Sequence, residues 1–349
     1  MRKTIVLASL GLIPFGLSGC SATDPAPAAS PDATASVQAR GETQAVGTAN
    51  ADAADDPAIW RNPSDPAASL IVGTDKKAGL YVYDLSGRQR SFIDAGRVNN
   101  VDLRDMGAAG IIVAASDRSD KSNANIALFR LDLATAKLTP IGKVSAGAGE
   151  AYGICLYREG DALFAFNVIK DGTIRQVMLN IEGAPSGRIV RTMKLGTQSE
   201  GCATDERTHR LYVAEEDVGL WRFDARPSGS PDPIRMGAAD GKHIVADTEG
   251  VTIAAEGAGI GGYLLVSSQG DNAYAVYRLS DDGYVGRFRI AKGSFGATEE
   301  TDGIDAAVGD FGPGYPGGLF VAQDGHNAPT AQNFKLVAWA DVKKALGLK

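Results

Sequence analysis

The stretch that decides the fold is a hairpin: Leu70-Ile-Val-Gly-Thr74, a polar turn, and then Gly79-Leu-Tyr-Val-Tyr-Asp-Leu85. A short apolar run followed by an alternating segment is typical of two β-strands joined by a turn. The same unit recurs five more times, with first strands that begin at residues 111, 163, 211, 263 and 319. Consecutive starts are separated by 41, 52, 48, 52 and 56 residues.

Six such repeats predict an all-β fold, a six-bladed β-propeller, because four-stranded blades need about 40–50 residues each. Gly accounts for 43 of the 349 residues, against a usual ~7%, which favours many tight turns. A β-sandwich of irregular hairpins is the alternative, but sandwiches seldom repeat one hairpin six times. Only residues 339–349 carry the pattern of a short helix.

The composition excludes several classes of protein. With 35 basic and 42 acidic side chains the net charge is −7, which disfavours a broad surface for nucleic acid. The balance of 44% hydrophobic and 22% charged residues is that of a folded globular chain. Three Cys residues cannot form a disulfide framework. Cys155 and Cys202 lie in apolar, strand-like segments, where buried thiols are the more common state, although their pairing stays open.

The N-terminus has the pattern of an exported bacterial lipoprotein. Arg2 and Lys3 precede an apolar stretch over residues 4–15, which is short for a membrane span. Leu17-Ser-Gly-Cys20 resembles a lipobox, so we expect removal of residues 1–19 and lipidation of Cys20. Ser21 in the next position predicts sorting to the outer membrane. The alternative is an ordinary signal peptide that ends near a Cys.

Residues 20–50 are interpreted as the lipidated Cys20 and a flexible tether. Beyond Cys20 they are rich in Ala, Pro, Ser, Thr and Asp, and so bury too little surface to offset the entropy of ordering. The prediction is therefore one propeller domain over residues 51–349. We expect a monomer that meets the membrane only through its lipid anchor.

Acidic and amide side chains are concentrated near the ends of the repeated strands, which a propeller brings to one mouth. They are Asp55, Asp56, Asn99, Asn100, Asp102, Glu200, Glu215, Glu216, Asp217, Asp247, Glu249, Asp302 and Asp305. Clustered carboxylates repel one another unless cations neutralise them. Many oxygen ligands with little Cys or His favour several Ca²⁺ ions over Mg²⁺, which needs fewer protein ligands.

Basic side chains form a second sector of the predicted mouth. Lys76, Lys77, Arg118 and Lys170 each follow a strand predicted to be innermost in its blade. Arg binds phosphate as a planar fork and Lys as a flexible point charge. Beside bound cations these residues suit a multiply phosphorylated ligand, and attack of a metal-activated water on phosphorus is the natural reaction.

Eleven short motifs, in order along the chain, resemble those of the bacterial β-propeller phytases, alkaline-type enzymes that hydrolyse myo-inositol hexakisphosphate (phytate). They are Asp55-Asp-Pro-Ala-Ile-Trp60, Gly73-Thr-Asp-Lys-Lys-Ala-Gly-Leu80, Arg97-Val-Asn-Asn-Val-Asp102, Ala151-Tyr-Gly153, Ser199-Glu-Gly201, Tyr212-Val-Ala-Glu-Glu-Asp-Val-Gly-Leu-Trp221, Asp247-Thr-Glu-Gly250, Ser267-Ser-Gln-Gly270, Thr301-Asp-Gly-Ile-Asp305, Leu319-Phe-Val-Ala-Gln-Asp-Gly325 and Gln332-Asn-Phe334. The resemblance implies a 3-phytase type of enzyme with several Ca²⁺ ions at the channel mouth. It also implies that phytate binds as its calcium complex, with one phosphate in a cleavage site and a neighbour in an affinity site.

The resemblance also implies roles for individual residues. The expected phosphate ligands of the cleavage site are Lys76, Arg118, Tyr152 and Lys170, with Lys77 holding phosphate nearby. The expected ligands of the bridging calcium ions, which present the attacking water, are Asp55, Glu200, Glu216, Asp247, Glu249 and Asp302. Asn99, Asn100 and Asp102 are expected to hold a more structural calcium.

Two other functions stay open at this point. A lipid-anchored propeller can be a non-catalytic scaffold, although a scaffold needs no convergent basic and acidic mouth. A propeller lactonase, or another calcium-dependent phosphoesterase, is the second alternative. A lactonase would use one axial metal and a His or Asp base rather than a cradle for several phosphates.

Overall fold

The computed structural model describes residues 30–349, and within them the chain is almost entirely β-structure. The described part has 25 strands and one α-helix, α1 (Trp339–Leu346), which confirms the predicted all-β class and the short terminal helix. No helix among residues 30–349 is both long enough and apolar enough to cross a membrane.

The strand bounds are as follows. The strands are β1 (Thr34–Gln38), β2 (Gly41–Glu42), β3 (Ala54–Trp60), β4 (Leu70–Asp75), β5 (Gly79–Asp84), β6 (Gln89–Asp94), β7 (Val98–Asp105), β8 (Ile111–Asp117), β9 (Asn123–Asp132), β10 (Lys137–Ala148), β11 (Ala151–Glu159), β12 (Ala162–Ile169), β13 (Thr173–Asn180), β14 (Ser186–Lys194), β15 (Ser199–Asp205), β16 (Arg210–Glu215), β17 (Gly219–Asp224), β18 (Ile234–Ala238), β19 (Thr248–Glu256), β20 (Gly261–Ser268), β21 (Ala273–Arg278), β22 (Tyr284–Ala291), β23 (Ile304–Val308), β24 (Gly318–Asp324) and β25 (Asn333–Ala338).

These strands form six sheets, one for each blade of a six-bladed β-propeller, as the repeats predicted. Blades 1 to 4 are the antiparallel sheets β3–β6, β7–β10, β11–β14 and β15–β18. Blade 5 is β19–β22 with β1 added, and blade 6 is β23–β25 with β2 added. The repeated hairpins of the sequence are the second and third strands of each blade.

The strands that line the axis are not the ones expected from the sequence. Neighbouring blades contact one another chiefly through β3, β7, β11, β15, β19 and β23, so these strands are innermost. The strands predicted to be innermost, such as β4 and β8, are second in their blades. The true innermost strands escaped notice because their residues are mixed in polarity; β15, for example, reads Ser-Glu-Gly-Cys-Ala-Thr-Asp.

The N-terminal segment is part of the propeller, so the interpretation of residues 20–50 as a tether is wrong from residue 34 onward. Strand β1 pairs in parallel with β22, and β2 pairs antiparallel with β25. Val37 and Ala39 are buried against Phe288 and Ile290. An edge strand is held mainly by backbone hydrogen bonds, so it needs few large side chains. Residues 1–29, with Cys20, lie outside the described residues.

A buried ammonium group ties β2 to blade 6. Lys335 is fully buried, and its Nζ lies 2.6 Å from Glu42 Oε2 and 3.0 Å from Asp324 Oδ2. The amide oxygens of Asn327 and Asn333 each accept a further hydrogen bond from it at 2.9 Å. Lys335 therefore sits in a cage of four oxygen atoms from strands β2, β24 and β25 and the loop between the last two.

Cys155 and Cys202 form a disulfide between β11 and β15, the innermost strands of blades 3 and 4. The expectation of two buried thiols is therefore wrong. The two residues are 47 positions apart in sequence, and only the packing of adjacent blades brings them together.

Glycines let the innermost strands approach closely at the mouth. Gly250 N–H donates to Asp302 O at 2.7 Å, and Gly303 N–H donates to Asp55 O at 2.9 Å. A Cβ atom at Gly201 would lie 2.3 Å from the Glu249 carbonyl oxygen, which is closer than packed atoms tolerate. The Glu-Gly and Asp-Gly pairs in the motifs thus combine a functional side chain with a close backbone contact.

Replacing Gly201 by Ala is expected to lower the free energy of unfolding by about 1–3 kcal/mol, because β15 and β19 must move apart. Urea denaturation followed by circular dichroism measures this change. Gly259→Ala is the matched control, since a Cβ at Gly259 would meet nothing within 4 Å. Equal stability of the two variants would contradict the proposed contact.

Candidate active site

An open cavity of about 820 Å³ lies at the end of the channel where the innermost strands begin. Seven residues predicted from the sequence line it: Lys76, Tyr152, Glu200, Glu216, Asp247, Glu249 and Asp302. Asp52, Gln198 and Gln269, which the sequence did not single out, line it as well. The convergence of the repeats on one mouth is therefore observed.

Equivalent positions of the six blades supply one polar side chain each to this mouth. Five of these side chains come from the second residue of an innermost strand, and the sixth precedes β23 by two residues. They are Asp55, Asn99, Tyr152, Glu200, Glu249 and Asp302. The pseudo-symmetry of the propeller thus arranges them as a ring.

The carboxylates of this ring are crowded together with Glu216, and most of them are buried. Glu200, Glu216 and Glu249 each offer one oxygen atom, and the three atoms lie within 4.8 Å of one another. Burial and, after it, neighbouring carboxylates raise the pKa of Glu200 and Glu249 well above the usual range. Burial also raises the pKa of Glu216, with Asp247 adding to the effect. A cation would relieve this repulsion.

Several oxygen atoms of the ring are buried without a hydrogen-bond donor. They are Asp55 Oδ2, Asn99 Oδ1 and Glu249 Oε2. A buried acceptor that stays unpaired costs free energy, whereas Ca²⁺ takes six to eight such hard oxygen ligands. The residues present therefore fit a divalent cation of this kind.

Two cationic side chains approach the Tyr152 ring, so three predicted phosphate ligands meet. The Arg118 Cζ atom is 5.7 Å and the Lys170 Nζ atom 4.7 Å from the ring centroid, distances at which a cation and an aromatic ring attract one another. Burial, followed by Glu200 and Glu216, raises the pKa of Tyr152 far above its usual value. The Tyr152 hydroxyl therefore stays protonated and can donate a hydrogen bond.

The two neighbouring lysines have different environments. Lys76 is buried and its Nζ lies 2.8 Å from Asp52 Oδ1, 2.9 Å from Asp55 Oδ1 and 2.9 Å from Asp302 Oδ2. Burial opposes its charge, but Asp55 and Asp302 outweigh burial and raise the pKa of Lys76. Lys77 is exposed and does not line the cavity.

Amide side chains hold three of the carboxylates by donating hydrogen bonds. Asn99 Nδ2 donates to Glu200 Oε1 at 2.8 Å. Gln198 Nε2 donates to Glu216 Oε1 at 2.6 Å, and Gln269 Nε2 donates to Asp302 Oδ1 at 2.7 Å. Gln198 adjoins one of the motifs quoted above and Gln269 lies within another, but a Gln in a motif does not reveal its partner.

The resemblance grouped Asp102 with Asn99 and Asn100. The structure does not bring Asp102 to the ring that contains Asn99. Asp102 lines a separate inner cavity of about 190 Å³. It forms an ion pair with Arg104 at 2.7 Å and accepts the Leu156 N–H at 2.8 Å. A β-bulge in β7 interrupts the alternation of sides between Val98 and Val101. Asp102 therefore accepts a hydrogen bond from the neighbouring blade, in a cavity separate from the mouth.

Asp56 and Asp305 act in the same way as Asp102. Asp56 Oδ2 accepts the Val101 N–H at 3.0 Å, and Asp305 Oδ2 accepts the Ile59 N–H at 2.7 Å. Each carboxylate thus satisfies a backbone donor on the inner edge of the next blade. These acidic residues are part of the structure of the channel wall.

Comparison with known proteins agrees with this arrangement. The family model described as Phytase matches residues 3–349. A 3-phytase of Bacillus subtilis (strain 168) is 40% identical to this chain over 329 residues, which cover 89% of this chain and 85% of that protein. The family match extends across all six blades and the residues of the mouth, so the resemblance noted in the sequence is confirmed and the chain belongs to the phytase family.

Proposed function

We propose that this protein is a calcium-dependent phosphomonoesterase that releases phosphate from phytate by attack of a metal-activated water. One observation carries the proposal: crowded carboxylates with unpaired buried oxygens lie in or beside an open cavity that Tyr152 lines, and Arg118 and Lys170 approach the Tyr152 ring. The first set suits cations, and the second suits phosphate. The 3-phytase relative supports phytate as the substrate, and we expect it to bind as its calcium complex.

The residues that would hold the calcium ions are Asp55, Glu200, Glu216, Asp247, Glu249 and Asp302, with Asn99 Oδ1 as a further oxygen ligand. When bound, calcium supplies the activation of water and neutralises charge on the phosphate. Gln198 and Gln269 hold one oxygen each of Glu216 and Asp302, so these carboxylates keep a fixed direction.

The basic side chains bind and orient the phosphate. The Arg118 guanidinium offers two parallel N–H groups, which match two phosphate oxygens. The Lys170 ammonium adds a point charge, and the protonated Tyr152 hydroxyl donates a hydrogen bond. We expect the exposed Lys77 to contact a neighbouring phosphate of the same substrate.

Phosphate release from phytate, measured with calcium, then with a chelator, then with calcium restored, tests the proposal. We expect activity to disappear on chelation and to return with calcium. Melting curves recorded in parallel should shift little under mild depletion and fall under strong chelation, because a ligand that binds only the folded state stabilises it. Undiminished hydrolysis after thorough chelation would contradict the calcium mechanism and reopen the scaffold and lactonase alternatives.

For the location of the enzyme we propose attachment to the outer membrane through lipidated Cys20. Arg2, Lys3 and the Leu17-Ser-Gly-Cys20 sequence support this assignment. Stable anchoring needs more than one acyl chain, as a multiply acylated Cys provides. Cys20→Ala should release the enzyme from membranes and leave phytate hydrolysis intact. Equal recovery of both forms in the periplasmic fraction would contradict the anchor.

A further inference from the structure

We propose that Lys76 is an internal counter-ion of the acidic ring that calcium displaces, and that its release makes the ammonium group available to phosphate. The inference rests on the proposed function, because it concerns the same metal ions and the same substrate. It gives Lys76 two successive partners, first carboxylates and then a phosphate group.

The hydrogen bonds of Lys76 carry the argument. An ammonium group has three N–H donors and no acceptor. Lys76 Nζ lies within 2.9 Å of one oxygen atom on each of Asp52, Asp55 and Asp302. Asp55 and Asp302 accept hydrogen bonds from the ammonium group, and Asp52 forms an ion pair with it. Three carboxylates therefore compete with a phosphate oxygen for this ammonium group.

The partners of Lys76 overlap with the residues that would hold calcium. Asp302 uses both carboxylate oxygens, since Oδ2 accepts from Lys76 and Oδ1 accepts from Gln269. Asp55 uses Oδ1 for Lys76, while its buried Oδ2 has no partner. A calcium ion bound through Asp302 would share an oxygen atom with one of these donors, so it competes with that hydrogen bond.

Repulsion between cations favours the ammonium as the group that leaves. A calcium ion held by Asp302 repels the positively charged Lys76 ammonium, whereas the Gln269 amide carries no net charge. Lys76 is only 7% exposed, and charges interact strongly where water is scarce. Lys76 lines the same cavity as Tyr152, so the released ammonium stays beside the phosphate ligands. Binding is reciprocal, so Lys76 must weaken calcium binding as long as its ammonium group is paired with the carboxylates and not with phosphate.

Calorimetric titration of calcium into the full-length protein at pH 8, without substrate, tests this exchange. We expect Lys76→Met to bind calcium at the mouth at least ~5-fold more tightly than the unmodified protein, a coupling of ordinary size. The matched control is Lys77→Met, which removes the same charge at the next residue, an exposed side chain. It should change the calcium affinity by less than ~2-fold, since exposed charges interact weakly.

Inorganic phosphate serves as the second probe. With calcium saturating, Lys76→Met should bind phosphate more weakly than the unmodified protein does. If Lys76→Met does not fold, as judged by circular dichroism, Lys76→Gln takes its place and should also bind calcium more tightly. Unchanged or weaker calcium binding in the folded variant would overturn the exchange while leaving the proposed function intact. No calcium binding by the unmodified protein would instead refute the proposed function.

Discussion

Replacing Arg118 by Ala is expected to lower kcat/KM for phytate by at least ~100-fold, the scale of losing one donor that stabilises charge in the transition state. Arg118 follows β8 and approaches Tyr152, which lines the cavity. Lys170 cannot replace the planar pair of N–H donors of Arg118, because its ammonium group acts as a point charge. Steady-state kinetics with calcium in excess measures the loss.

The stability of the Arg118→Ala protein should stay near that of the unmodified protein, since a partly exposed charge contributes little to folding. Arg130→Ala is the matched control. Arg130 is an exposed arginine of β9 whose Nε donates to the Ala109 carbonyl oxygen and which does not line the cavity of the mouth. Near-normal turnover by Arg118→Ala, equal to that of the control, would remove Arg118 from the mechanism.

Lys335→Met is expected to lower the free energy of unfolding by about 3–5 kcal/mol, the usual cost of removing one partner from a buried ion pair. Lys335 is fully buried and Asp324 nearly so, so the change leaves the Asp324 carboxylate in a dry environment without its cation. The contact between β2 and blade 6, which closes the ring of blades, would also lose the Glu42 ion pair. Urea unfolding measured by circular dichroism gives the difference.

Lys343→Met provides the comparison, because Lys343 also pairs with a glutamate, Glu256, at 2.7 Å but on the partly exposed surface. It should cost less than about 1 kcal/mol. The double variant Lys335→Met, Asp324→Asn should recover part of the lost stability, since no unpaired charge then remains buried at Asp324. A Lys335→Met protein as stable as the control would show that the buried cage does not secure the closure.

The sequence was sufficient for the parts of this structure that depend on local pattern. The six hairpins and the terminal helix occur where alternation of polarity and helical spacing indicated. Lys76, Arg118, Lys170 and Glu216 reach the mouth because each directly follows the second strand of a blade. Tyr152 was identified only by resemblance, since one tyrosine in a short motif carries no local signal of its partners.

Other features depended on which strands meet in the folded chain. Contacts between different blades determine which strands are innermost, bring Cys155 to Cys202 and hold Asp102 outside the ring. Gln198 pairs with Glu216 within blade 4, but the pairing of Gln269 with Asp302 joins blades 5 and 6 and belongs to the same class. Such contacts join residues from distant parts of the sequence, so no local period encodes them.

The limits of the sequence have a common physical cause. Alternation and turn residues determine a hairpin, because the side chains of one strand must face either the core or the solvent. Strands β1 and β2, in contrast, join sheet edges through backbone groups that every residue carries, and their small side chains gave no sign of burial. The sequence by itself therefore determined the six blades and most of the mouth, whereas the tertiary structure decided how the ring closes and which carboxylates share the cavity.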